Sequence, residues 1–325
     1  MSTTASDEKV VYLLKPRGFC AGVVRAIDIV ELALKVYGPP IYVRREIVHN
    51  RHVVENLVSR GAIFVEELDE VPANARLVYS AHGVAPSVRE DAQRRNLQVI
   101  DATCPLVTKV HLEAVRFAAS EGTILLIGHR DHDEVVGTKG EAPRHTMVVS
   151  SGEEAECVEV PDPENVFYLT QTTLSLDDAE QVISVLKTRF PNIQGPPAQD
   201  ICYATENRQQ AVKRVAPACD LMLVIGSENS SNSRRLVEVG QNAGMPGYLV
   251  DDEQEIQDDW LTDARSVAVT AGASAPEVLV QRVLGYLARR GYTRVEEVEA
   301  VKENVVFPLP AELAGHQSLL TIANA

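Results

Sequence analysis

Cys20, Cys104 and Cys202 each stand directly ahead of a stretch patterned as a helix, and the chain repeats itself after each of them. A strand-like run follows and ends in a polar loop carrying His49, His132 or Ser230, at intervals from the cysteine that agree to within one residue. A second polar loop comes later in each repeat, at His82, Thr172 and Ser274. The positive end of a helix dipole stabilises thiolate, the form of cysteine that binds metal. Three repeats, each offering one such thiolate, predict a threefold arrangement in which the sulfurs converge on a metal that keeps an open position. No C-x-x-C or C-x-x-H pair occurs, so a structural zinc knuckle has no support. Two centres fit the donor set: a cubane iron–sulfur cluster with one iron lacking a protein ligand, and a three-coordinate zinc with water in the fourth position. The first delivers electrons and Lewis acidity, the second only polarises, so they separate a reductase from a hydrolase. Cys219, in P-A-C-D ahead of an apolar run, reads as a small buried hydrophobe. Cys157 lies among Glu153, Glu154, Glu156 and Glu159, whose charge opposes a thiolate.

The polar loops carry a second chemistry. His49, His82, Ser230, Ser231, Asn232 and Ser274 can all donate hydrogen bonds and lie at or beside helix starts, where backbone N–H groups attract anions. Together they predict a cradle for phosphate oxygens. Helix capping is the competing explanation for Ser231, Ser233 and Ser274, but it leaves His49 and His82 unexplained. Neither G-x-x-x-x-G-K-[ST] nor G-x-G-x-x-G occurs, so the phosphorylated ligand is read as something other than a nucleotide. His132 and Glu134, in H-R-D-H-D-E-V, are close enough to serve one proton path. A carboxyl facing an anionic substrate is expected to hold its proton above the usual range, as a proton donor requires. A solvated acidic turn is the plainer reading of that loop.

Short β-branched runs alternating with amphipathic stretches must position these residues, a pattern that predicts an α/β fold with parallel sheets. Helices are expected over 21–36, 106–120, 176–190, 204–216, 234–243 and 276–290, with strands such as 10–14, 41–44, 77–80 and 98–101 between them. Residues 128–134 read as a loop, and Pro191 stops the helix before it. Residues 195–199, with Pro196 and Pro197, read as a linker. The expected organisation is three similar α/β units: 22–103, 104–200, and 1–21 together with 201–292. Residues 293–325 form a C-terminal tail outside the repeat, read as peripheral or partly disordered.

With 325 residues and 45% apolar content the chain can bury a sizeable core. A formal charge of −15 opposes extended contact with nucleic acid or an anionic membrane surface, leaving small molecules and proteins as partners. No run approaches the roughly 18 consecutive apolar residues that a membrane span needs. Met1–Lys9 has the pattern of neither a signal nor a transit peptide. Five cysteines in a chain this long suit a reducing, cytoplasmic location.

The runs P-R-G-F-C-A-G-V (16–23), V-H-N-R (48–51), S-A-H-G-V (80–84), D-A-T-C-P-L-V-T-K-V-H (101–111), T-Q-T-T-L (170–174), D-I-C-Y-A-T-E-N-R-Q (200–209), G-S-E-N-S-S-N-S (226–233) and T-A-G-A-S-A-P (270–276) carry a resemblance. They resemble the 4-hydroxy-3-methylbut-2-enyl diphosphate reductase family, which closes the non-mevalonate route to isoprenoids. The resemblance covers residues 10–290. It implies a pseudo-threefold α/β trefoil around a [4Fe-4S] cluster held by Cys20, Cys104 and Cys202, with one open iron. It implies an allylic diphosphate substrate whose hydroxyl reaches that iron and leaves as water after two-electron reduction, giving isopentenyl and dimethylallyl diphosphate. By the same resemblance His49, His82, Ser230, Ser231, Asn232 and Ser274 hold the diphosphate. His132, Glu134 and Thr172 then face the hydroxyl and relay protons, and a ferredoxin or flavodoxin supplies electrons. One departure is visible: Asp133 stands where the family usually has proline. The rival classes are a cluster-containing electron carrier or sensor without turnover, and a zinc phosphohydrolase.

Overall fold

The structure, a computed structural model, describes residues 8–320. What was expected of residues 1–7, and of 321–325 in the tail, lies outside the described residues. In chain order the strands are β1 (Val10–Lys15), β2 (Ile41–Arg44), β3 (Ala62–Val65), β4 (Arg76–Tyr79), β5 (Gln98–Asp101), β6 (Thr123–Ile127), β7 (Thr146–Val149), β8 (Val166–Thr170), β9 (Leu221–Ile225), β10 (Gly247–Val250), β11 (Ser266–Ala271) and β12 (Arg294–Glu299). The helices that matter below are α1 (Ala21–Tyr37), α2 (Arg51–Ser59), α3 (Pro86–Arg94), α4 (Pro105–Ala118), α5 (Asp133–Glu141), α6 (Gly152–Cys157), α7 (Leu176–Arg189), α8 (Tyr203–Val215), α9 (Ser231–Asn242) and α10 (Glu277–Ala288).

Among the described residues the strands form three sheets, and every strand pair is parallel, as the α/β pattern predicts. The described residues divide into two compact units, one of residues 8–20, 49–51 and 203–305, the other of residues 21–48, 52–202 and 306–320. The first unit holds the sheet β10-β9-β11-β1-β12, and the second holds β3-β2-β4-β5 and β7-β6-β8.

The same strand order recurs in all three. After β8, Gln194 bridges to Phe167 in parallel, its N–H donating to Val166 O at 3.0 Å and its carbonyl accepting from Tyr168 N at 2.9 Å. That single bridge stands where β5 stands beside β4 and where β1 stands beside β11. The segment read as a linker thus begins directly after a residue bound to a sheet.

Both faces of a parallel sheet are covered by helices, so its central strands are continuously apolar. In β9, Leu221, Leu223 and Ile225 pack with Leu279, Val280, Val283 and Leu287 of α10, while Met222 and Val224 pack with α8 and α9. In β6, Leu125 and Ile127 face α7, while Ile124 and Leu126 face Val110, Ala114 and Phe117 of α4. Gly38, at φ +75° with its N–H bonded to Leu34 O, ends α1 in the left-handed conformation that glycine adopts without strain.

The structure corrects several expectations. Residues 294–299 form β12, an edge strand paired along the whole of β1, so this part of the tail is ordered. The helix α6 was not expected, because its residues are acidic and lack an apolar stripe; Ser151 caps it by accepting from Glu154 N. The helix α9 begins at Ser231 rather than Arg234, and α5 begins at Asp133, inside the stretch read as a loop. In both cases polar residues that serve a helix N-terminus look, in sequence, like a turn.

Candidate functional site

All three repeat cysteines stand where a helix begins, half-buried and outside any disulfide. Each is anchored by its backbone N–H to the residue at or just before a second polar loop tip. Cys20 donates to Ala273 O at 3.2 Å, Cys104 to Ala81 O at 2.9 Å and Cys202 to Thr172 O at 3.0 Å. The tie holds the thiol at the carboxyl end of a parallel sheet, where strand ends and helix amino ends gather ligands. Cys104 is itself the N-cap of α4, with Pro105 as the first helical residue. Cys219 is packed against apolar side chains, and burial followed by the charge of Asp220 pushes its thiol up to about 12, as befits a structural cysteine. Cys157 ends α6 in an exposed position.

In the second unit, Glu134 lies in the first turn of α5, only 2% exposed. One carboxylate oxygen accepts the Thr172 N–H at 2.7 Å and the other accepts the Thr172 hydroxyl at 2.8 Å. Burial raises its pKa from the ordinary 4.5 to about 7, against the two Thr172 bonds, which lower it; Asp200 adds a smaller upward push. The direction is the expected one, and burial alone is enough to produce it. Asp200, buried beside Lys109 at 3.1 Å and accepting from Thr170 N at 3.0 Å, is itself raised to about 6, again by burial first.

His132 is the N-cap of α5: its Nδ1 accepts the Glu134 backbone N–H at 3.2 Å. Accepting there leaves Nε2 as the protonated nitrogen of the neutral ring. The two oxygens of the Glu134 carboxylate are bonded to Thr172. The His82 and His132 rings meet edge to face at 5.8 Å between centroids, and His82 Nδ1 lies 3.4 Å from Ser80 Oγ.

In the first unit, Ser230 is the N-cap of α9, its hydroxyl oxygen accepting from Ser233 N at 3.3 Å and from Ser233 Oγ at 3.0 Å. Ser231 and Asn232 are buried in the first turn, and the Asn232 side chain spends its carbonyl on Ala273 N at 2.9 Å and an amide hydrogen on Thr205 Oγ1 at 3.4 Å. Ser274 is buried and donates to His49 O at 2.8 Å. Capping thus applies to Ser230, not to Ser231, Ser233 or Ser274: Pro276 holds the N-cap position of α10 without a side-chain bond, and the Ser274 hydroxyl anchors the His49 loop. The same loop is tied again where Arg51 N donates to Ser227 Oγ at 3.3 Å.

A family model described as LytB protein matches residues 11–288. The chain belongs to the LytB family. A curated LytB relative from Acidothermus cellulolyticus, named 4-hydroxy-3-methylbut-2-enyl diphosphate reductase, is 59% identical over 93% of this chain and 89% of its own. The relative of the same name from Rhodococcus jostii is 55% identical over 96% of this chain and 93% of its own. Among solved structures, the E-1-hydroxy-2-methyl-but-2-enyl-4-diphosphate reductase of Plasmodium falciparum is 40% identical, with a TM-score of 0.93 over 96% of this chain and 99% of that one.

Sequence reasoning missed three features of this LytB chain. His111, buried on α4, bonds Glu141 at 2.9 Å, which also holds Arg89 through both oxygens at 2.8 and 2.9 Å. Burial lowers the pKa of His111 despite that carboxylate. Its ring lies against Gly83 and Gly137, where a Cβ would come within 2.9 and 3.2 Å of it. Gln171 accepts His129 N at 3.0 Å and donates to Thr173 at 2.8 Å, bracing the Thr172 loop. Asp133 is ion-paired with Arg45. The first could have been found from a histidine on the apolar face of a predicted helix; the pairings of the other two depend on contacts that no local pattern encodes.

Proposed function

We propose that this chain reductively dehydroxylates (E)-4-hydroxy-3-methylbut-2-enyl diphosphate to isopentenyl and dimethylallyl diphosphate, the last step of the non-mevalonate isoprenoid route. Membership of the LytB family and relatives named for this reaction support the reading. The observation that carries it is Glu134, a buried carboxyl poised to hold a proton near neutral pH and bonded to a threonine on the next polar loop.

The donor set fits an iron–sulfur cluster. Three half-buried thiols, each at a helix start and each fixed by its own N–H, are soft ligands with no fourth cysteine of the same setting. Cys20, Cys104 and Cys202 would hold the cluster, a [4Fe-4S] group with one iron free of protein ligands. When bound, it supplies electrons and a Lewis-acidic iron.

The reaction consumes two electrons and two protons: the allylic C–O bond breaks, oxygen leaves as water, and a C–H bond forms at either end of the allyl unit. Glu134 gives the proton that turns the departing oxygen into water, with Thr172 and His132 completing the polar wall. His49, His82, Ser230, Ser231, Asn232 and Ser274 bind the diphosphate, using histidine and helix-start donors suited to phosphate oxygens. The reading also takes residues 22–103, 104–200 and 1–21 with 201–292 as the three repeats, which the shared strand order supports. Its electron donor is a ferredoxin or flavodoxin and its location the cytoplasm.

Anaerobically purified protein tests this. A brown sample with iron and sulfide, an electron paramagnetic resonance signal on reduction, and conversion of the allylic diphosphate with a chemical reductant are expected. Cys20→Ser, Cys104→Ser and Cys202→Ser should abolish the spectrum, while Cys157→Ser and Cys219→Ser keep it. A colourless zinc protein that releases phosphate would replace this reading with a hydrolase, and a stable cluster without turnover would replace it with a carrier.

A further inference from the structure

Asp133 occupies the first helical position of α5, directly before Glu134. Two other helices that follow polar loops, α3 and α4, carry a proline there, Pro86 and Pro105. Proline at this position presets the helical φ and gives up a donor that the helix does not use. The backbone ahead of Asp133 is already shaped for it. His132 has φ −73° and ψ 134°, the extended conformation that a residue before proline must adopt. Aspartate brings no such restraint, and it adds a negative charge beside a carboxyl whose task is to keep a proton.

The chain supplies a partner for that charge. Arg45, in the loop that follows β2, forms an ion pair with Asp133, whose side chain is only 12% exposed. Arg45 is held in the left-handed region at φ 57°, where residues other than glycine are strained, and its N–H is bonded to Val65 O at 2.7 Å. The remaining acidic neighbours are farther away: Glu66 at 3.9 Å and Glu67 at 4.0 Å, both well exposed. A backbone fixed in this way aims the guanidinium at α5, and a largely buried pair is screened less than a surface one.

We propose that the Arg45–Asp133 pair is a positioning latch that fixes the first turn of α5, and with it Glu134, doing for this chain what a proline at position 133 would do. Arg45 also pairs the charge that Asp133 brings to the first turn of α5. For turnover the inference rests on the role given to Glu134 above; for the helix it stands alone.

A double-mutant cycle tests it with Arg45→Met, Asp133→Pro and the two combined, in the anaerobic holoprotein. The readouts are amide hydrogen exchange over residues 134–138 without substrate, and kcat and KM with it. Arg45→Met should speed exchange and lower kcat by about fivefold each, with KM changing by no more than about twofold. Asp133→Pro should leave both near their starting values, Arg45→Met should then have no further effect, and Arg45→Lys should keep most of the exchange protection. Equal effects of Arg45→Met in both backgrounds, or unchanged exchange in Arg45→Met alone, would overturn the latch. Coupled exchange in protein that does not turn over the allylic diphosphate would uphold the latch and count against the proposed reaction.

Discussion

At Glu134 burial and hydrogen bonding pull in opposite directions, and burial wins: the carboxyl sits at about 7 although Thr172 donates to both of its oxygens. A proton donor works best with a pKa near the operating pH, because it must both hold the proton and give it up. Glu134→Gln keeps the shape and the bonds to Thr172 but has no acidic proton. Turnover with saturating reductant should fall by about 10²- to 10⁴-fold while the iron spectrum and substrate binding persist. The raised pKa also has a sign in stability. The folded carboxyl binds its proton more tightly than the unfolded one, so it contributes stability below about pH 4.5 that is lost as pH rises through about 7. Urea midpoints measured from pH 5 to 8 should therefore decline less steeply in Glu134→Gln than in the parent chain. An equal slope in both would mean that Glu134 is ionised throughout. The residue and the direction of its shift were legible in the sequence. The partner was not, because Thr172 reaches Glu134 through the fold rather than along the chain.

Among the elements, helix starts carry most of the candidate chemistry, and they are also where sequence reasoning erred. The starts of α5 and α9 are built from Asp, Glu, Ser and Asn, residues that cap helices and make turns for the same hydrogen-bonding reason, so their boundaries were read as loop. The long apolar stripes of α1, α4 and α7 were placed well because core packing fixes their period. The contact of α4 with α5 was beyond such reading, since it rests on glycines. The His111 ring lies between Gly83, at φ +79°, and Gly137 in the turn of α5 after Glu134. At Gly83 a Cβ would meet His111 at 2.9 Å and impose a strained backbone as well. At Gly137 the contact is 3.2 Å and the backbone is helical, so helix propensity offsets the crowding. Gly83→Ala should destabilise the protein by about 2–4 kcal/mol and Gly137→Ala by no more than about 1 kcal/mol in urea titrations. Adding His111→Ala to Gly83→Ala should recover the steric part but not the backbone part. A Gly83→Ala loss no larger than the backbone part, about 1–2 kcal/mol, would show that His111 yields freely.

For the whole molecule, the repeat of cysteine and polar loops is legible because the first loop recurs at nearly the same interval after each cysteine, and the parallel sheets follow from the alternation of strand and helix. The N-terminal strand β1 completes the sheet of the C-terminal repeat, in the position that β5 takes beside β4. The tail is not legible: Arg294–Glu299 is rich in charge and only half-buried at Glu296 and Val298, so its pattern does not announce a strand. Its role shows in what it covers. The strand β12 caps the edge of β1, which would otherwise present unpaired backbone groups. Beyond it, Glu303 accepts from Arg208 Nη1 at 3.0 Å and from Asn207 at 3.0 Å. Arg208 is fully buried on α8, and its other nitrogen donates to Gly18 O at 2.7 Å, two residues before Cys20. The tail thus neutralises the buried cation that holds the Cys20 loop. Removing one partner of a buried pair is costly because it strands the other charge, whereas replacing both with apolar groups is cheap. Glu303→Ala should destabilise the protein by about 3 kcal/mol and hasten loss of iron in air, whereas Arg208→Met combined with Glu303→Leu should cost less than Glu303→Ala alone. If Glu303→Ala left the urea midpoint unchanged, water would be reaching Arg208 and the tail would act only as an edge cover for β1.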